Sequence, residues 1–289
     1  MKYSSNSILA FTPQGKESEN ILKQALFFQK GLDKRIFVMD FYKSASLLTK
    51  FFQSEKFINV QEEALEKFQL FVTKTIQKEI PKEIILRIKP GHAVPTLIRE
   101  SKFGGYDFMI VDKSTGSYKD ALSKSDINRF ISKSHCPVLT INKDFPTSKI
   151  KKIIIPIDIS LGTKKKLVWG TVFAQKFGAK IQIVSALNVN IKERNSLALK
   201  NAEKIENMLK ERGVECGVKI LKTHQQSKQK VLMDYIHEEN PDLVIIRTHQ
   251  EYRFSGKMIG KFVSDIIHGT KIPVFTVGGI TEYHPEEIN

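Results

Sequence analysis

Short continuous apolar runs alternate along this chain with longer stretches in which apolar residues return at helical spacing. The first run is Ser7-Ile8-Leu9-Ala10-Phe11-Thr12, which suits a strand buried on both faces. Ile21, Leu22, Ala25, Leu26 and Phe28 then give one apolar face to a helix predicted over 17–30, with Gly31 as its stop. Arg35 to Phe41 reads as the next strand, so the opening is a parallel strand–helix–strand unit. From Ser44 to Ile58 the pattern is irregular and predicts a short helix and a loop. Asn59 with Glu62 three residues on resembles a capping box, followed by Leu65, Phe68, Val72 and Ile76 at helical spacing. Pro81 ends that helix. A strand over 83–88, a turn and helix over 91–102 with Val94, Leu97 and Ile98 inward, and a strand over 106–111 come next. A polar loop over 112–121, a helix over 122–134 and a strand from Cys136 to Ile141 complete the first half.

The same grammar then recurs. Strands are predicted at Lys152–Asp158, Lys180–Leu187, Val214–Leu221, Asp242–Ile246 and Ile272–Val277, and helices over 161–177, 196–212, 229–239 and 258–268. Asp107 recurs as Asp242, and Pro137 as Pro273. A repeat this long is a duplicated domain, not a solenoid unit. The polar, Pro-containing stretch Asp144–Ser148 is the linker, which predicts domains over 1–145 and 146–289. Each half runs β-α-β-α-β-α-β-α-β. The expected fold is α/β, as two tandem five-stranded parallel sheets with helices on both faces.

The chain has 289 residues and a net charge of +15 spread over both halves with no basic arm. A basic surface attracts polyanions, but without a nucleic-acid motif the plainer expectation is a Lys-rich solvated surface. No run approaches the roughly 18 apolar residues of a membrane span, and the polar start, Met1 to Ser7, predicts no signal peptide. Cys136 and Cys216 sit in different halves beside strand residues, which predicts free thiols and a reducing cytoplasm.

In an open α/β sheet, ligands bind where a strand's C-terminal end feeds a helix through a loop. The stretch from Arg247 to Lys261, after the strand Asp242–Ile246, is the candidate. No G-x4-G-K-[ST] loop occurs, no G-x-G-x-x-G follows a strand, and no zinc spacing or nucleophile elbow is present. Nothing pairs a nucleophile with a base, so no catalytic residue is expected.

Several strings together resemble the universal stress protein family. In the second half they are Ile153-Ile154-Ile155-Pro156-Ile157-Asp158 with Ser160, Pro241 to Ile246 with Thr248-His249, Gly260, and Ile272-Pro273-Val274. In the first half they are Ile8-Leu9-Ala10, Tyr106 to Val111, and Cys136-Pro137-Val138-Leu139. The resemblance covers nearly the whole chain as two tandem copies. It implies the universal stress protein, or adenine-nucleotide α-hydrolase-like, fold with strand order 3-2-1-4-5. It also implies a role in stress response.

Members that bind ATP share a G-x2-G-x9-G-[ST] loop, whose glycines let backbone N–H groups approach phosphate. An Asp at the end of the first strand lies near the adenine. Asp158 keeps that position here. Arg247 stands at the first Gly, Gln250 at the second, Gly260 at the third and Lys261 at the Ser/Thr. On this resemblance the nucleotide-contact candidates are Asp158, Ile159, Ala186, Arg247, His249, Gly260 and Lys261. The loop admits two outcomes. Arg247 and Gln250 fill the space and the site is lost, which is the main expectation; or Arg247 and Lys261 hold phosphate by side-chain charge. In the first half Pro13 replaces the Asp and Asp112 stands at the first Gly position, so no nucleotide is expected there.

The expected protein is therefore a cytoplasmic, non-enzymatic tandem universal stress protein acting through protein interaction, with no cofactor. The alternative is an ATP- or AMP-binding sensor using the second domain, and a weaker one is a non-specific polyanion binder. The family resemblance implies that the last strands pair the two domains with each other, through Val138, Thr140, Val274 and Thr276. Pairing would cover edges that are otherwise an aggregation hazard. A homodimer and an unknown protein partner are the further partners considered; membrane and nucleic acid are not expected.

Overall fold

In the computed structural model the chain divides into two compact units, Met1–Pro146 and Thr147–Asn289. The sequence expectation put the boundary at 145/146. The structure describes residues 6–42, 54–114, 121–145, 148–157, 164–187, 197–248 and 259–278, with side chains from 60, 166 and 199 onward in the helices that begin at 54, 164 and 197.

Unit 1 contains β1 (Ser7–Phe11), α1 (Glu19–Leu32), β2 (Arg35–Tyr42), α2 (Ser54–Ile76), β3 (Ile84–Pro90), α3 (Ala93–Phe103), β4 (Met109–Asp112), α4 (Lys124–Lys133) and β5 (Val138–Ile141). Unit 2 contains β6 (Lys152–Pro156), α5 (Lys164–Phe177), β7 (Lys180–Leu187), α6 (Leu197–Glu211), β8 (Cys216–Lys222), α7 (Lys228–Glu239), β9 (Leu243–Arg247), α8 (Lys261–Gly269) and β10 (Val274–Val277). Within unit 1 the strands lie in the order β3-β2-β1-β4-β5, and within unit 2 in the order β8-β7-β6-β9-β10. Every described pairing inside a unit is parallel. This is the expected 3-2-1-4-5 order, twice. The chain turns back after the third strand of each unit, so the first and fourth strands are neighbours and the crevice opens where they end.

The central strands are apolar on both faces because helices cover both. Ile8, Leu9, Ala10, Ile110 and Leu139 are fully buried in unit 1, as are Ile153, Ile154, Ile155, Val244 and Ile245 in unit 2. In unit 1, α1 packs beside α2, and α3 beside α4. In unit 2 an aromatic cluster locks α5 onto β10: Phe275 lies 5.0 Å from Trp169 and 5.1 Å from Phe173, ring to ring. Gly170 of α5 sits where an added Cβ would come within 2.6 Å of Ile155 Cδ1, so a larger residue there would have to displace that methyl group.

Three sequence expectations change. The helix meant to stop at Gly31 runs through it to Leu32, and Asp33 takes the left-handed position (φ 54°) instead. Asp tolerates that conformation better than most residues. Asn59 does not cap α2, because the helix already includes it from Ser54. The irregular stretch from Ser44 lies outside the described residues up to 53, and its last part belongs to α2. The repeated aspartates lie just before their strands, not in them, because each is tied down at the sheet's N-terminal edge. Asp107 forms an ion pair with Lys34 at 2.6 Å, while Asp242 accepts the backbone N–H groups of Lys151 and Lys152. The repeated prolines also do the same work twice. Pro137 and Pro273 donate nothing, but their carbonyls accept Met109 N–H and Val244 N–H, each at 3.0 Å.

Both cysteines are free and buried, and burial pushes each thiol up to about 12. No helix among the described residues is long and apolar enough to cross a membrane.

Candidate functional site

At the C-terminal edge of the unit 2 sheet, β6 gives way to Ile157, β7 ends through Ala186 and Leu187, and β9 ends at Arg247. Ile157 is held in line by its N–H, which donates to Val184 O at 2.8 Å. Two helices begin at this edge. α7 starts after Ser227, whose Oγ accepts Lys230 N–H at 3.1 Å. α8 starts after Gly260, which has extended backbone and makes no side-chain cap. The first N–H groups of α8 therefore have no side-chain acceptor from their own cap, which leaves them available to an anion.

These pieces enclose a cleft of ≈ 640 Å³. Its apolar wall is Ile157, Ala186, Leu232, Met233, Phe262 and Val263; its polar wall is the first turn of α7, Gly260, Lys261 and Asp265. Small-molecule sites have this size and this mixture. Neither helix has an acidic residue in its first turn. Lys230 is paired with Asp234 one turn on, and Lys261 stands 3.9 Å from Asp265 while remaining 93% exposed. A flat apolar group fits the wall, and an anionic group fits the two helix starts.

Of the residues nominated from sequence, Ala186, Gly260 and Lys261 come together in this cleft. Arg247 does not line it: it is half-buried at the end of β9, in register with Val277. Thr248 turns the chain there, its N–H donating to Val277 O at 3.1 Å. Asp158, Ile159 and His249 lie outside the described residues, as does Gln250. Val138 and Thr140 lie on β5, Val274 and Thr276 on β10, each the last strand in its own sheet's order. The contribution of α7 was missed. Its signal was present in Ser227-Lys228-Gln229-Lys230, a capped helix start with cations where acids are favoured.

The corresponding edge of unit 1 is built differently. Thr12, Asp40 and Asp112 follow at one level on β1, β2 and β4, as the register of those strands continues. Asp40 accepts N–H from Gln14 and Phe41, and Asp112 accepts it from Ser114. Lys113 beside them is buried, which pulls its ammonium down to about 7 against the opposing pull of Asp112. No group of three or more metal-ligating side chains occurs among the described residues.

The universal stress protein family matches residues 149–278. That match spans most of the second unit. Among solved structures, a universal stress protein from Archaeoglobus fulgidus DSM 4304 is similar to it with a TM-score of 0.69 and 18% identity, over 96% of this chain and 99% of that one. A candidate universal stress protein from Pseudomonas aeruginosa UCBPP-PA14 has a TM-score of 0.64 and 14% identity, over 96% and 94%. A protein of unknown function from Pseudomonas aeruginosa PAO1 has a TM-score of 0.59 and 15% identity, over the same shares. At these identities the likeness is one of fold. Comparison with curated proteins gives no match.

Proposed function

We propose that this chain is a universal stress protein that binds an adenine nucleotide in the unit 2 cleft and acts in stress response without catalysing a reaction. The observation that carries the proposal is the ≈ 640 Å³ cleft, with Ile157 and Ala186 on its apolar wall and Gly260 and Lys261 at the start of α8. The glycine-poor loop argued for a lost site, because backbone N–H groups need glycine to approach phosphate closely. The cleft supports the other outcome: the base packs on the apolar wall, and the phosphate meets the N–H groups and the lysine at the start of α8. Unit 1, with carboxylates at the matching edge, takes no nucleotide. Its role is to partner unit 2, with β5 and β10 pairing through Val138, Thr140, Val274 and Thr276. The two free thiols fit a reducing cytoplasm.

Calorimetry of the full chain with ATP, ADP and AMP tests the binding. Micromolar affinity is expected, with a loss of at least about tenfold in Ala186→Trp, which fills the cleft where β7 ends. No heat from any of the three up to millimolar concentration would overturn the proposal. So would undiminished binding in Ala186→Trp.

A further inference from the structure

The first turn of α7 contradicts the electrostatics of a helix start. That end of a helix carries partial positive charge and favours Asp or Glu. Here the turn reads Lys228, Gln229, Lys230, with no acidic residue. Lys230 is offset by its ion pair with Asp234. Lys228 has no such offset: it is half-buried, and no carboxylate pairs with it among the described residues. A lysine at the positive end of a helix, with no carboxylate to offset it, is unfavourable in the free protein. Conflicts between local rule and fold are expected where a ligand supplies the compensation. Lys228 lines the same cleft as Gly260 and Lys261, and of the two outer lysines it is the less exposed: Lys261 is 93% exposed and already faces Asp265 at 3.9 Å.

We infer that Lys228 is a specificity-determining residue that contacts the phosphate chain and selects nucleotides with two or three phosphates over those with one. This rests on the adenine-nucleotide reading of the cleft. The first phosphate is held at the start of α8. Further phosphates extend along the cleft to Lys228 and the free N–H groups at the start of α7. There a charge-assisted hydrogen bond to a phosphate oxygen replaces the missing carboxylate. The attraction grows with each added phosphate, so the preference follows charge.

The test is calorimetry on the full chain with AMP, ATP and inorganic tripolyphosphate. ATP is expected to bind more tightly than AMP. Lys228→Ala should weaken ATP about tenfold and AMP less than about threefold, and Lys228→Arg should keep ATP tight. Lys200→Ala, exposed on α6, should change neither. Tripolyphosphate should bind wild type and lose affinity in Lys228→Ala. Should tripolyphosphate behave this way while AMP and ATP gain nothing from their base, the adenine reading fails and the phosphate contact stands. The inference is overturned if Lys228→Ala leaves the ATP-to-AMP ratio unchanged, if Lys200→Ala lowers ATP binding equally, or if neither ATP nor tripolyphosphate binds.

Discussion

Where their fourth strands end, the two units carry opposite charge on the same backbone. β4 of unit 1 ends at Asp112, and β9 of unit 2 ends at Arg247. Asp40 on β2 corresponds to Ser185 on β7, and Thr12 to Ile157. Two helix pairs repeat the contrast. α1 and α4 have Glu19 and Asp126 in their first turns, whereas their counterparts α5 and α8 have no acid there and open on Lys164 and Lys261; α3 and α7 both lack an acid, but only α7 opens on a lysine, Lys228. Strand order and register are shared, so the fold does not decide which unit meets an anion. The side chains at the strand ends and helix starts do.

The contrast between the units can be broken or sharpened by substitution. The largest effect is expected in the unit 2 core. Phe275→Ala removes a fully buried ring from between Trp169 and Phe173 and should cost about 3–5 kcal/mol. Trp169 is the single tryptophan, so its fluorescence during urea unfolding reports unit 2 directly. A shift below about 1 kcal/mol would show that the aromatic cluster is not what holds α5 to β10.

Next come the repeated aspartates. Asp107→Asn leaves the largely buried Lys34 ammonium without its carboxylate and should cost about 3 kcal/mol. Asp242→Asn weakens only two backbone hydrogen bonds and should cost about 2 kcal/mol. Equal losses in denaturant titrations of the two variants would remove this difference between the units.

Lys113 gives unit 1 a pH dependence that unit 2 lacks at the corresponding position, Thr248. Its folded-state value of about 7 lies below that of an unfolded lysine, 10.5. Between those values the unfolded chain binds the extra proton, so stability rises with pH through that window, by up to about 1.4 kcal/mol per pH unit. Below the folded value both states are protonated and the burial penalty is fully present. Lys113→Met should flatten the difference in stability between pH 7 and pH 9, measured by circular dichroism. A variant with the wild-type slope would assign the dependence to another group.

The smallest expected effect separates the two capped helices. Ser123 and Asp126 form a reciprocal capping box at α4, whereas Ser227 caps α7 one way only. Ser123→Ala should cost about 1 kcal/mol, and Ser227→Ala less, by thermal unfolding. The reverse order would mean that the reciprocal bond to Asp126 adds nothing.

Much of this molecule was legible from spacing alone. The buried strands announced themselves as apolar runs because both faces of each sheet are covered, and Gly178 and Gly213 marked helix ends because each takes a left-handed turn (φ 63° and 71°). The helix end capped by Asp33 was harder to place, since aspartate also occurs freely in helices and loops. The site was only partly legible. Ala186, Gly260 and Lys261 were found through a loop pattern, which points along the chain from one strand to one helix. Lys228, Leu232 and Met233 reach the same cleft from a helix that follows a different strand, and no local pattern connects them.

The sequence by itself determined two α/β units, their parallel strands and the charge carried by each strand end, because burial and local conformation are imposed by neighbouring residues. Only the tertiary structure decided that α7 and α8 begin at one cleft, that Arg247 stands outside its wall and that Lys228 stands inside it. The physical reason is the crossover after β8, which carries α7 back over the sheet and brings a helix start close in space to residues some thirty positions away.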